Sequence, residues 1–586
     1  MIKKLASQIK EYKKTAAVTP VLVLLEVVME ILIPLIMAEL IDNGIDGGSM
    51  PQIIKYGIML IVAAVLALIF GIAAGRTAAV ASAGFAKNLR GAMYDHVQEF
   101  SFANIDKFST ASIVTRLTTD VTNVQMAFQM CIRIAARAPG MLIFALIASF
   151  GIDAQLSLVF LGVLPILGIG LYILIRAVYP IFNRVFKTYD KLNNVVQENL
   201  YGIRVVKSYN RQDHEVEKFK KTSGKIYQDF SKAEKIMAFN MPLMQFCMYL
   251  SMILISWFGA RAIVASGNDA AIGLSTGELI SLITYIMQIL MSLLMISMIF
   301  VMVTMARASG ERIAELLDEE SNLHDPENPV YNVKDGSIDF DNVHFSYGKS
   351  KNKEVLNDIN LHIKSGQTVG IIGATGSAKS SLVQLIPRLY DVTSGSLKVG
   401  GTDVKDYHIE SLRNQVSMVL QKNTLFSGTI AENLRWGNEN ATDEELRHAC
   451  KLACADEFID KFEDGYETYI EQGGSNVSGG QKQRLCIARA LLKKPKILIL
   501  DDSTSAVDMK TDAMIRQAFS TEIPDTTKII IAQRIASVQD ADQIVVLDDG
   551  KIADVGNHQQ LMKNSEIYRE AVSYTHLRAH ETLSDL

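Results

Sequence analysis

Residues Thr368–Ser381 read TVGIIGATGSAKSS, and this stretch decides the fold of the second half of the chain. An apolar strand runs into a glycine-rich turn, which is followed by Lys379, Ser380 and the amphipathic segment Leu382–Leu389. Strand, turn and helix in this order form a P-loop, in which backbone N–H groups at a helix start face phosphate oxygens. Lys379 would neutralise the phosphate charge, and the Ser380 hydroxyl would ligate Mg²⁺.

One position of this loop departs from the motif. The glycine that normally precedes the lysine is replaced by Ala378. A methyl group here should be tolerated only if the local φ angle is negative. The rest of the turn keeps the pattern of a phosphate cradle. The residues that we expect to hold phosphate are Gly373, Thr375, Gly376, Ser377, Ala378, Lys379, Ser380 and Ser381.

A second stretch supplies the acidic groups that a phosphate-bound cation requires. Ile497–Asp502 is an apolar, buried-type strand that ends in two carboxylates, Asp501 and Asp502. A carboxylate at the end of such a strand suits the Mg²⁺ shell, as in Walker-B strands. We therefore assign Asp501 to that shell, and this second element raises the odds that the glycine-rich turn binds phosphate.

A serine and two glycines open a further helix between these stretches. Asn476–Arg484 reads NVSGGQKQR and leads into the helical segment Leu485–Leu492. Backbone N–H groups at a helix start bind anions, so this run is a second candidate anion-binding surface. Taken alone, an ordinary helix start with a turn explains the same residues equally well.

The first half of the chain has the composition of a membrane domain. The 586 residues are 49% hydrophobic and carry a net charge of −5, without the basic balance of proteins that bind nucleic acid. Five cysteines exclude a disulfide scaffold. A membrane span needs about 20 mostly apolar residues. Six windows qualify: 17–40, 54–82, 127–151, 155–179, 241–264 and 276–304.

The placement of lysine and arginine predicts the orientation of these spans. The N-terminal segment and the long connections 84–126 and 181–240 are rich in both, whereas the short connections 42–54 and 266–278 contain neither. We therefore predict a multi-pass protein of the cytoplasmic (inner) membrane, with its N-terminus and its soluble half in the cytoplasm. The long inner connections look helical, so the spans should continue into the cytoplasm and turn back near residues 101–108 and 209–213.

These patterns predict a multi-domain chain: an all-α transmembrane domain of six helices, followed by an α/β P-loop NTPase domain. We place the first at residues 1–315, a proline-containing linker at 316–332 and the nucleotide-binding domain at 333–572. The final stretch, 573–586, has an anomalous sequence that reads as an artefact, and we exclude it from the fold.

The order and spacing of the motifs resemble the ATP-binding cassette (ABC) family over nearly the whole chain. The resemblance assigns Tyr347 to the aromatic that stacks on adenine, Gln421 to the Q-loop, with roles in catalysis and metal binding, and Ser505–Asp508 to the D-loop. It assigns the signature motif to Val477, Ser478, Gly479, Gly480 and Gln481. Six spans before one cassette, with Phe426–Asn433 after the Q-loop, resemble an exporter half-transporter, as in bacterial multidrug and lipid exporters.

The resemblance implies ATP and Mg²⁺ as ligands and a second half-transporter as partner. Cassettes of the family work as head-to-tail pairs, in which each ATP lies between the P-loop of one cassette and the signature motif of the other. One chain carries one of each, so a second cassette is required. No nucleic-acid partner is expected, because soluble nucleic-acid ATPases of the family lack the six spans.

Two further departures point to an asymmetric pair. The general base of the family, a glutamate, is replaced by Asp502, whose carboxylate is withdrawn by about 1 Å, and such a misplacement can lower the rate about a hundredfold. The switch histidine is replaced by Gln533, which cannot form a cationic hydrogen bond. The signature motif is intact. The chain therefore resembles the degenerate-site subunit of a heterodimeric multidrug exporter, which moves hydrophobic or amphipathic small molecules.

Several alternatives stay open on the sequence. The chain could be a lipid or peptide exporter, a mainly regulatory ATP-binding subunit, or a homodimeric exporter. Methionines recur at helical spacing in spans five and six, either for helix packing or as an adaptable drug-binding wall. Charged residues within spans are costly and often functional. They are Glu26, Glu30, Arg76, Arg133, Arg137 and Arg176.

Overall fold

The computed structural model describes residues 1–267, 273–348, 354–502 and 506–573. The chain divides into two compact units. The first comprises Met1–Gln98 and Thr110–Glu319, and the second comprises Glu99–Ser109 and the chain from Glu320 onward. A short segment of the N-terminal half, Glu99–Ser109, therefore belongs to the second unit. Most of the predicted anomalous tail, residues 574–586, lies outside the described residues.

The described residues of the N-terminal half form helices joined by short connections. Six of its helical stretches are long and apolar enough to cross a membrane, which confirms the six predicted spans. Its helices are α1 Ile2–Ser7, α2 Lys13–Glu39, α3 Met50–Gln98, α4 Phe102–Lys107, α5 Thr110–Thr115, α6 Val121–Ile152, α7 Ala154–Tyr201, α8 Ile203–Ser208, α9 Gln212–Met237, α10 Asn240–Ser266 and α11 Thr276–Asp318.

The long helices extend well beyond a bilayer. Helix α3 has 49 residues and α7 has 48. At about 1.5 Å per residue each is about 70 Å long, more than twice the roughly 30 Å of the hydrocarbon core. The prediction that the spans continue as helices is thereby confirmed. The chain turns back through α4 and through the break between α8 and α9, as the polar stretches predicted.

Hydroxyl groups and apolar packing hold the first unit together. Ser281 on α11 donates a hydrogen bond to the carbonyl of Pro34 on α2 at 2.6 Å, and Tyr285 donates to the carbonyl of Ile31 at 2.7 Å. Such bonds pair hydroxyl groups for which the lipid hydrocarbon offers no hydrogen-bond partner. Buried residues of α2, α6, α7, α10 and α11, among them Leu167, form one apolar core.

The second unit contains sheets with helices packed against them, and its fold class agrees with the prediction. Its strands are β1 Ile338–Phe345, β2 Leu356–Ile363, β3 Thr368–Gly373, β4 Ser394–Val399, β5 Thr402–Asp403, β6 Val416–Val419, β7 Gly428–Thr429, β8 Tyr469–Ile470, β9 Ile497–Asp501, β10 Thr527–Ile531, β11 Gln543–Asp548 and β12 Lys551–Gly556. Its further helices are α12 Lys379–Gln384, α13 Ile409–Gln415, α14 Ile430–Arg435, α15 Asp443–Leu452, α16 Asp456–Ile459, α17 Gly479–Leu492, α18 Met509–Glu522 and α19 His558–Asn564.

A six-stranded sheet in the order β12-β11-β3-β10-β9-β6 forms the centre of this unit. The five strands from β11 to β6 run parallel. Because side chains alternate along a strand, both faces of β9 are buried: Ile497 and Ile499 in one core, Leu498 and Leu500 in the other. Strands β3, β10 and β9 are neighbours, so their carboxyl ends bring the P-loop, Asp501 and the residues after Ile531 to one edge.

Candidate nucleotide site

The P-loop connects β3 to α12 through a turn that needs glycine at its start. A Cβ atom on Gly373 would lie 2.2 Å from the carbonyl oxygen of Leu547, so no other residue fits there. Lys379 folds back over the turn and donates to the carbonyls of Gly373 and Ala374, both at 2.8 Å. Burial lowers the pKa of Lys379, and the nearby carboxylates of Asp501 and Asp502 oppose that shift.

The negative φ angle that was the condition for tolerating a methyl group at Ala378 is not found. Its φ angle is +70° and its ψ angle 22°, in the left-handed region. A side chain with a Cβ atom in this region costs about 1–2 kcal/mol, because Cβ approaches the following carbonyl. The loop thus has the backbone conformation that suits glycine in spite of the alanine. The methyl group packs against the core formed around β1, β2 and β3.

Two of the three predicted Mg²⁺ ligands, Ser380 and Asp501, lie together, whereas Gln421 bonds to Asp502. The hydroxyl of Ser380 donates to Oδ1 of Asp501 at 3.0 Å, and Asp501 is 3% exposed. Burial, with a smaller contribution from Asp502, raises the pKa of Asp501, while the Ser380 hydrogen bond lowers it. A hydroxyl and a buried carboxylate beside a phosphate loop fit Mg²⁺, which prefers oxygen ligands. Bound there, Mg²⁺ would neutralise phosphate charge.

The three predicted catalytic residues also meet. Oδ2 of Asp502 accepts a hydrogen bond from Nε2 of Gln533 at 2.7 Å and a longer one from Nε2 of Gln421 at 3.4 Å. The φ angle of Asp502 is +49°. The two replacements noted in the sequence are therefore bonded to each other, a contact that neither motif revealed. A neutral amide, and not an imidazole, holds the carboxylate.

The predicted adenine platform belongs to an aromatic cluster. The hydroxyl of Tyr347 lies 2.9 Å from Oγ of Ser381, and its ring packs edge-on against Tyr390 with 5.2 Å between centroids. The hydroxyl of Tyr390 donates to Oδ2 of Asp106 on α4 at 2.6 Å. Burial raises the pKa of Tyr390 and so keeps the hydroxyl protonated. The ring of Phe102, also on α4, lies 6.0 Å from that of Tyr390.

Sequence reasoning missed Tyr390. A single tyrosine carries no motif, and its partner on α4 lies 284 residues earlier in the chain. Both Asp106 and Phe102 of α4 contact Tyr390 within the second unit. The bonding partner in the soluble half could not be named from the sequence.

The signature residues begin helix α17. Ser478 is the N-cap: its Oγ accepts from the backbone N–H of Gln481 at 3.3 Å, and the Gln481 side chain accepts from the N–H of Ser478 at 2.9 Å. This capping box satisfies two backbone donors. Gly480 lies against Ala506, since a Cβ atom there would be 2.9 Å from the Ala506 carbonyl oxygen. Ser478 and Gly479 are exposed.

The structure therefore divides the predicted site residues into two groups. The P-loop, Asp501, Asp502, Gln421, Gln533 and Tyr347 are joined by the contacts above. Within the described residues, no hydrogen bond links Val477–Gln481 to the P-loop. Of the predicted D-loop, Ala506–Asp508 are described, and Ser505 lies outside the described residues.

Six apolar spans and a P-loop domain with a buried acidic residue define a membrane-bound P-loop NTPase. Two family models match the chain: the ABC transporter transmembrane region over residues 17–293, and ABC transporter over residues 356–505. The ABC transporter ATP-binding protein YfiB of Bacillus subtilis is 37% identical over 568 residues, which are 97% of each chain. The ABC transporter ATP-binding protein Rv1273c of Mycobacterium tuberculosis is 34% identical over 580 residues, 98% of each.

The chain belongs to the ABC transporter family. A solved structure of a bacterial Atm1-family ABC exporter with ATP bound has the same fold, with a TM-score of 0.79, 21% identity and coverage of 96% of this chain and 98% of the other. The chain is thus a multi-pass half-transporter with one cassette, which binds ATP and couples its hydrolysis to transport. Such exporters function as dimers.

Proposed function

We propose that this chain is the slow-site half of a heterodimeric exporter that moves hydrophobic or amphipathic small molecules out of the cytoplasm. The observation that carries the proposal is the 2.7 Å hydrogen bond between Gln533 and Asp502. A general base must reach the proton that it abstracts. Here the carboxylate is shorter than the glutamate of the family and is held by an amide, which supports slow hydrolysis at the P-loop of this chain.

The signature motif of this chain would complete the fast site of the partner. Ser478 is exposed at the start of α17, where backbone N–H groups favour an anion. The run Ser478–Gln481 keeps the Ser-Gly-Gly-Gln of the signature motif. ATP at the Lys379 site would hold the two cassettes close, while hydrolysis at the composite site would reset the transporter.

Exposed side chains around α8 support pairing with a second half-transporter. Tyr201 is 96% exposed and Tyr209 is 75% exposed, and Val205 between them is also exposed. Large apolar side chains at the end of a helical hairpin mark an interaction surface. In the proposed dimer this surface contacts the partner and transmits cassette closure to the helices.

The methionine stripes support an adaptable substrate wall. On α11, Met287, Met291 and Met298 are exposed in the single chain, whereas on α10 Met244 is buried in the core of the first unit. The α10 stripe is divided, since Met244 packs in the core whereas Met241 and Met252 are exposed, so both helices present thioethers to a surface. Flexible, polarisable thioethers suit ligands of varied shape, which favours small molecules over one specific lipid or peptide.

The test is Ser478→Ala in the purified heterodimer. We expect ATP turnover of the pair to fall at least about tenfold, because the change removes the hydroxyl aimed at the partner's nucleotide; each tenfold loss corresponds to about 1.4 kcal/mol. The same change removes an N-cap, worth about 1 kcal/mol of helix stability. An unchanged turnover in the folded pair would rule out the assignment.

Thr442→Ala is the matched control for this loss of capping. Thr442 caps α15 through a capping box with Glu445, in the same unit as Ser478. Both variants lose one N-cap hydroxyl, but only Ser478 belongs to the signature motif. We expect Thr442→Ala to keep the ATPase rate. If both variants lost ATPase activity, the cause would be reduced stability of the cassette and not the signature motif.

A further inference from the structure

Three charged side chains meet at the centre of the membrane unit, where the transport function gives them no role. Glu26 is the fourteenth of the 27 residues of α2, so it lies about 20 Å from either helix end. Arg137 on α6 donates from Nη1 to Oε1 of Glu26 and from Nη2 to Oε1 of Glu30, both at 2.6 Å. One guanidinium thus bridges two carboxylates one helical turn apart.

One oxygen of each carboxylate has no hydrogen-bond partner among the described residues. Oε2 of Glu26 and Oε2 of Glu30 are both buried without a hydrogen bond among the described residues. Glu26 itself is 8% exposed. Its Oε1 lies against Gly71 on α3, where an added Cβ atom would come within 3.0 Å. Buried polar atoms are normally paired, so two orphaned oxygens in one cluster require an explanation.

Among the described residues, Arg137 is the only cation that forms an ion pair with Glu26 or Glu30. The remaining ionisable side chains at this level of the helices packed against α2 are Arg76 on α3, Cys131 and Arg133 on α6, and Tyr285 on α11. Within the described part of the chain, neither Arg76 nor Arg133 forms an ion pair with Glu26 or Glu30. The hydroxyl of Tyr285 donates a hydrogen bond to the carbonyl of Ile31.

We propose that the Glu26–Glu30–Arg137 cluster is a proton-binding site. With both glutamates ionised the cluster has a net charge of −1 in an apolar span, where a lone charge is strongly disfavoured. One proton on a glutamate Oε2 neutralises it, because arginine stays protonated. The two unpaired oxygens are buried, so a proton can reach them but a larger cation has no accessible space there. This site is independent of which cassette hydrolyses ATP.

The proposal is tested by labelling the full-length protein in membranes with dicyclohexylcarbodiimide, an apolar reagent that modifies protonated carboxyl groups. Mass spectrometry should find the adduct on Glu26 or Glu30 at mildly acidic pH. The amount of adduct should fall as the pH is raised, because the reagent needs the protonated carboxyl group. Glu198, an exposed carboxylate paired with Lys218, is the matched control and should stay unmodified.

Two variants make the test sharper. Glu26→Gln leaves one carboxylate for one arginine, a neutral pair that needs no proton, so Glu30 should lose its adduct as well. Glu30→Gln should protect Glu26 in the same way, and Glu26→Asp should restore labelling. These readouts need no transport activity, so they stand apart from the proposed export function.

Three results would overturn the proposal. The first is wild-type protein without an adduct on either glutamate at any pH. The second is a Glu26→Gln protein in which Glu30 is labelled as fast as before. The third is full protection by tetraphenylphosphonium at every pH, which would make the cluster a site for a cationic molecule.

Discussion

The methyl group of Ala378 sits where the backbone would accept glycine without strain. We expect Ala378→Gly to stabilise the cassette by up to about 1 kcal/mol: relief of about 1–2 kcal/mol of left-handed strain exceeds the added entropy of the unfolded chain. For a domain of this size, the thermal midpoint should rise by about 2 °C.

Ala374→Gly is the control for this change. Ala374 is exposed in the same loop and is not among the residues with positive φ. Glycine there gains no relief and makes the unfolded chain more flexible, so the midpoint should fall. If both variants shift in the same direction, strain at residue 378 is not the cause.

The contact between Asp502 and Gln533 implies that the two residues together limit the rate of ATP hydrolysis at the P-loop of this chain. In a Ser478→Ala background, which disables the composite site of the partner, we expect Asp502→Glu with Gln533→His to raise residual ATP turnover about tenfold to a hundredfold. Each single change should yield less, because the amide or the short carboxylate remains. Steady-state phosphate release measures this, and an unchanged rate in the double variant would contradict the slow-site assignment.

Helix α4 contacts Tyr390, the neighbour of the predicted adenine platform, through a hydrogen bond to Asp106 and the ring of Phe102. We expect Tyr390→Phe to keep ATP affinity but to reduce stimulation of the ATPase by transported compounds severalfold, since a hydrogen bond to a charged group contributes about 1.5–3 kcal/mol. Asp106→Asn should have a similar effect, and the two changes together should not add. Nucleotide binding and stimulated turnover are the two measurements.

Tyr407→Phe is the matched control for Tyr390→Phe. The hydroxyl of Tyr407 donates to the carbonyl of Val399 at 2.8 Å, inside the cassette and away from α4. This variant loses a buried hydrogen bond without touching the link to Asp106. Stimulation by substrate should survive in Tyr407→Phe, and an equal loss in both variants would indicate general destabilisation.

For the whole molecule, the predicted orientation can be read by cysteine labelling. A membrane-impermeant maleimide added to intact cells should modify Ser49→Cys, between the first two spans, and should reach Asn210→Cys only after lysis. The five native cysteines give little background, because four are buried and Cys131 is half-buried. Labelling of Asn210→Cys on intact cells would reverse the topology and place the cassette outside.

The features that the sequence predicted correctly all belong to consecutive residues. Six apolar runs predict six spans because hydration and helix length act locally along the chain. The glycine-rich turn and the strand before Asp501 predict the P-loop and its acidic partner for the same reason, since each motif is a continuous segment. The neighbouring β3, β10 and β9 then bring these segments to one edge of the sheet.

The rest depends on contacts between residues that are distant along the chain. The positive φ angle of Ala378 could not be derived from the sequence, because the turn follows the surrounding sheet and not the preference of one residue. The bond from Gln533 to Asp502, that from Tyr390 to Asp106, and the bridge from Arg137 to two glutamates exist only once helices and strands have packed. Motifs name chemical groups, but packing decides which of them share a hydrogen bond, because burial compels each polar group to find a partner nearby in space.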